Sequence, residues 1–200
     1  MRPNLQAQTK WRWGVATYLF LVGMGAGAYV VGVFADFLGA GWTDVSKIGV
    51  ALGFPLVTVA CLFKVSELGR PMNAWRAGMM PGTSWMARGA ILLTAFLGVS
   101  FLHIVLWLWP FSGALADADG LRHAIGIVGS ILAIGTAFYT GILLASNKPI
   151  AFWSTAMLPV LFMLSSLVSG LMGVVLIGLI GGLPCVGAIA SLEHMSAALL

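Results

Sequence analysis

Five apolar runs, each long enough to cross a lipid bilayer, leave this chain little freedom to be anything but a membrane protein. They cover residues 14–35, 48–66, 89–109, 124–145 and 152–180, and about 20 apolar residues span ~30 Å of hydrocarbon. Only 8% of the 200 residues are charged and 60% are hydrophobic, with a mean hydropathy of +1.02. A water-soluble fold cannot cover its surface with so few charges. The sequence predicts an all-α, polytopic transmembrane helix bundle of about five spans with a four-helix core. Residues 1–200 form a single membrane domain on this reading. The first run is too long for the apolar core of a signal peptide. The fifth exceeds a perpendicular crossing and is expected to tilt, or to break near Gly181 and Gly182. Residues 183–200 read as a turn at Pro184 followed by the start of a sixth helix.

Glycine is abundant, 26 residues in all, and lies inside the runs. Gly23 and Gly27 are spaced for close approach of two helix backbones, and Ser165, Ser166, Ser169, Gly170 and Gly173 give the fifth run a small face. Tight packing is the expected role of both. Cys61 and Cys185 are isolated, so neither an iron–sulfur cluster nor a structural zinc finds its four ligands in this chain. Both read as small buried hydrophobes. The basic residues flank apolar runs rather than forming a patch, which argues against nucleic acid as a partner.

Five crossings sort the connections into two groups. Arg2, Lys10, Arg12, Lys64, Arg70, Arg76, Arg88 and Lys148 fall on the face that carries the N-terminus, and only Lys47 and Arg122 fall on the other. These are called the first and second faces below. The bias of positive charge toward the inside places the first face, with the N-terminus, in the cytoplasm. The loop from Ser66 to Gly89 mixes Arg with Trp and Met, so part of that charge is also suited to docking another protein.

Ionisable groups beside hydrocarbon are expensive and invite a functional reading. Lys64 and Glu67 end the second run one turn apart, and Arg70 follows in the next turn. They form either an interfacial salt-bridge cluster or a polar mouth. Tyr18 lies about one turn inside the first helix, and Tyr139 about six residues from the end of the fourth. At 1.5 Å rise per residue, both phenols sit within ~10 Å of the first face. Each alone is an ordinary interfacial anchor, but three groups at one depth on three helices suggest a pocket. His103 and His123 both lie toward the second face, His103 roughly 10 Å deeper. That offset suits a pair of haem ligands poorly, and His103 reads as a hydrogen-bonded core residue.

Three stretches resemble the NrfD family, polytopic subunits of respiratory complexes typified by the polysulfide reductase membrane subunit. They are WRWGVATYLFLVGMGAGAYV from Trp11, SELGRP from Ser66 with TSWMARG after it, and AFYTGILLASNKPIAFW from Ala137 with LPVLFMLSSLVSG after it. The resemblance implies an integral subunit of a prokaryotic inner-membrane oxidoreductase, exchanging electrons between a docked iron–sulfur subunit and menaquinone or ubiquinone. A catalytic subunit bearing molybdenum or haem would complete the complex. On this resemblance Tyr139, Tyr18 and Arg70 are the quinone-binding candidates and Glu67 the proton-transfer candidate, with no metal held by this chain. Family members typically have eight or more helices in two bundles, of which this sequence shows the first bundle and one more helix. The alternatives to a quinone site are a proton- or solute-conducting subunit, a haem b anchor and a purely structural anchor.

Overall fold

The computed structural model describes residues 13–66, 85–108, 119–145 and 157–181. Five α-helices account for nearly all of them: α1 (Trp13–Phe37), α2 (Thr43–Ser66), α3 (Trp85–Leu108), α4 (Asp119–Ala145) and α5 (Leu158–Ile180). A single 3-10 turn, Ala40–Trp42, joins α1 to α2. All five helices are long and apolar enough to span a membrane. The protein is thus an all-α, multi-pass membrane bundle, as the apolar runs require.

Several helices outrun their apolar stretches. α2 begins at Thr43 and α4 at Asp119, about one turn before the hydropathy rises. Backbone hydrogen bonding continues into the polar boundary, where side chains such as Asp44 and Lys47 meet water. α5 stops at Gly181, whose N–H bonds the Ile177 carbonyl at 2.8 Å.

α1 is the hub. It packs along α2, α4 and α5, and α3 closes the four-helix core against α4. In lipid, helices gain little from hydrophobicity and associate through small residues that let backbones touch. A Cβ at Gly32 would lie 2.7 Å from the Val50 amide nitrogen, and one at Gly53 would lie 2.8 Å from the Tyr29 Cβ. On the opposite side of α1, Gly27 lies against the Ser166 carbonyl, and Gly170 fits against Gly27 and Ala28. The spacing Gly23–Gly27 is therefore a helix–helix seam. Gly141 in turn seats Pro159 and Phe162, which joins α4 to α5.

The remaining apolar surface faces outward, with Phe20, Phe34, Leu62, Ile131, Leu176 and Ile180 exposed as lipid contact demands. Hydroxyls within the span mostly bond their own helix: Thr58 to the Phe54 carbonyl, Thr136 to Leu132, Thr140 to Ala137 and Ser166 to Met163, each at 2.7–2.8 Å. This satisfies them where no water is present.

Candidate functional site

Two polar regions sit at opposite ends of the bundle. The first lies toward the N-terminal end of α1. Tyr18 is buried among Val22, Ala60, Leu19, Leu21 and Leu93, with the Lys64 ammonium 5.4 Å from its ring centroid. Tyr139 comes from the last two turns of α4, and its ring lies directly against Gly89 of α3. Any side chain at position 89 would occupy the space of that phenol, which explains why the TSWMARG segment ends in glycine. Tyr18 is within electrostatic reach of both Tyr139 and Cys61. The two tyrosines read from sequence as sharing one depth therefore fall within electrostatic reach of each other. Among the described residues, neither phenol has a hydrogen-bond partner. Such a pair can offer two O–H donors to two acceptors of one ligand.

A groove of about 290 Å³ runs between α1 and α5 at the same level, lined by Ala16, Leu19, Phe20, Gly23, Phe162 and three serines. Glu67 and Arg70, and the rest of their loop, lie outside the described residues. Cys61 is a free thiol, and Cys185 also lies outside the described residues.

The second region lies where α1 and α3 end and α2 and α4 begin. Asp36 receives two hydrogen bonds from Arg122, from Nε at 3.1 Å and from Nη2 at 3.2 Å. His123 Nε2 approaches the same carboxylate at 3.3 Å without forming a hydrogen bond to it. The Trp107 ring has the Arg122 guanidinium 4.6 Å and the Lys47 ammonium 5.5 Å from its centroid. Deeper, Tyr29 and His103 are both buried, with 2.7 Å between the phenol oxygen and Nδ1.

Sequence reasoning placed His103 in the core but missed its partner, and it missed the Asp36–Arg122 pair. Tyr18, Tyr29 and Asp36 are separated by 11 and 7 residues, close to whole numbers of turns, so all three share the inward stripe of α1. That periodicity was the available signal. Among the described residues no three His, Cys, Asp or Glu side chains converge as metal ligands.

Comparison with known proteins agrees with this architecture. A polysulfide reductase chain from Wolinella succinogenes is 28% identical over 188 residues, covering 85% of this chain and 58% of its own. Protein NrfD of Escherichia coli is 29% identical, over 80% of this chain and 57% of its own. A sulfite dehydrogenase subunit from Allochromatium vinosum is 28% identical, over 76% and 50%. The chain thus spans between half and three-fifths of the length of these relatives. No solved structure matches. The family model described as "Polysulphide reductase, NrfD" matches residues 2–183, and the chain belongs to that family.

Proposed function

We propose that this chain is the quinone-reactive membrane subunit of a multi-subunit oxidoreductase. The observation that carries the reading is the pair of buried phenols, Tyr18 and Tyr139, within electrostatic reach of each other at one end of the bundle with no described residue bonded to either. A quinone presents two carbonyl oxygens on a flat apolar ring, which is the acceptor pattern such donors suit. Menaquinone and ubiquinone share it. The bound quinone supplies two-electron, two-proton redox chemistry.

The chain's own residues bind, orient and supply protons. Tyr139 and Tyr18 donate to the two carbonyls, and the Gly89 backbone keeps the Tyr139 ring in place. The α1–α5 groove, at the same level though lined by neither tyrosine, is the candidate seat for an apolar tail. Arg70 and Glu67, adjoining the end of α2, are assigned to the mouth of the site, with Glu67 moving protons. Electrons come from, or go to, an iron–sulfur subunit docked on the first face, and a molybdenum- or haem-bearing catalytic subunit lies beyond it. Relatives named as components of polysulfide reductase and sulfite dehydrogenase support membership of such a complex in the cell membrane. The first face is cytoplasmic on charge bias.

The test is Tyr139→Phe in the purified complex. Loss of the phenol hydroxyl removes one donor to the reacting oxygen and should lower quinone turnover by about tenfold or more, equivalent to ~1.4 kcal/mol of barrier, with subunit composition unchanged. Turnover at the wild-type rate would remove Tyr139 from the site.

A further inference from the structure

Five buried side-chain polar atoms have no hydrogen-bond partner among the described residues: Ser46 Oγ, His103 Nε2, Trp107 Nε1, His123 Nε2 and Ser130 Oγ. All five lie in the half of the bundle that includes Asp36. Buried serine and threonine hydroxyls toward the other end, such as Thr136, Thr140 and Ser166, are bonded to their own helices, and the two phenols there belong to the proposed quinone site. An unpaired buried polar group is unfavourable, and five in one half of a small bundle call for a partner. Buried water typically makes about three bonds to such groups.

His103 Nε2 matters most. The ring is 1% exposed, and its other nitrogen is committed to Tyr29. Whichever atom holds the proton in that bond, Nε2 is left as either a donor or an acceptor with nothing to meet. Gly126 lies beside the imidazole, a Cβ there falling 3.3 Å from Cε1, and Gly126 is one turn inward from His123 on α4. His123 and His103 therefore meet α4 about one helical turn, roughly 5 Å, apart in depth. Asp36, Arg122 and His123 are all within electrostatic reach of His103.

We propose that a string of buried waters joins these five atoms and carries protons between the second face and the Tyr29–His103 pair. His123 and the Asp36 carboxylate exchange protons with bulk water. His103 accepts a proton at Nε2 and returns it by the same route, its Nδ1 held by the Tyr29 oxygen. Asp36, Arg122, His123 and Lys47, the last beyond Trp107 at the rim, are the charged and titratable groups that face the route. The pair sits 11 residues, or roughly 16 Å, along α1 from Tyr18. The route stands on its own atoms, whether or not the tyrosine end binds quinone.

The test uses the full chain with ¹⁵N-labelled histidine in lipid bilayers. Solid-state NMR would read polarisation transfer from mobile water to the His103 ring nitrogens and the exchange rate of the ring N–H, with His103→Gln identifying the signal. Transfer to His103 is expected. Exchange should slow about tenfold or more, a barrier of ~1.4 kcal/mol, in Asp36→Asn combined with His123→Phe. It should be unchanged in Tyr18→Phe and Tyr139→Phe, whose own effects report on the quinone reading separately. If the double variant does not fold, Asp36→Asn alone must still slow exchange. Absence of water transfer to His103, or exchange indifferent to Asp36, would overturn the proposal.

Discussion

At the end of the bundle where α1 begins, two buried tyrosines stand within electrostatic reach of each other with no described residue bonded to their hydroxyls. At the end where α1 finishes, Asp36 is gripped by Arg122 and approached by His123, and Tyr29 is bonded to His103. Both ends draw on the same inward stripe of α1, yet one is built around a charge pair and the other around two phenols with no described partner. A membrane bundle tolerates ions only where they meet partners. Phenols with no described partner are what a transient ligand with two acceptors requires. On the proposed reading, the contrast separates a structural and proton-handling end from a ligand-binding end.

Substitutions break or sharpen that contrast. The largest effect is expected at the ion pair. Asp36→Ala removes the carboxylate that takes two hydrogen bonds from Arg122 and should lower stability by about 3 kcal/mol, visible as a fall in thermal unfolding temperature in detergent. A change too small to resolve would mean that the second end is not held together by charge.

Next comes Gly89→Ala. The added methyl collides with the Tyr139 ring, and overpacking of this kind costs about 1–3 kcal/mol. Turnover should fall with it, because the phenol moves. Gly98→Ala on the same helix has open space around its Cβ and should change neither. Equal behaviour of the two variants would show that Tyr139 does not depend on Gly89.

Tyr29→Phe is the mildest of the three. It removes one buried hydrogen bond and should cost about 1 kcal/mol while leaving quinone turnover near wild type. A collapse of turnover would place Tyr29 in the ligand site and erase the distinction between the two ends.

The pattern of apolar runs was sufficient to read the five crossings, and the spacing of Gly23 and Gly27 to read a close helix seam, because both are local periodicities. The depth of Tyr18 and Tyr139 was legible for the same reason, since helical rise converts position into height. What the chain does not spell out is rotation about each helix axis. Tyr29 and His103 are 74 residues apart and Asp36 and Arg122 are 86 apart, and their meeting depends on how α1, α3 and α4 turn toward one another. Gly89 illustrates the same point. It was legible as a motif residue, but its function as the floor beneath Tyr139 is a fact of packing between two helices.

The most direct measurement is photolabelling of the purified complex with an azidoquinone, competed by unlabelled quinone and mapped by peptide mass spectrometry. The account predicts competed adducts on α1 around Tyr18 and on α4 around Tyr139. Adducts confined to the Lys47–Trp107 end, or labelling that unlabelled quinone does not displace, would contradict it.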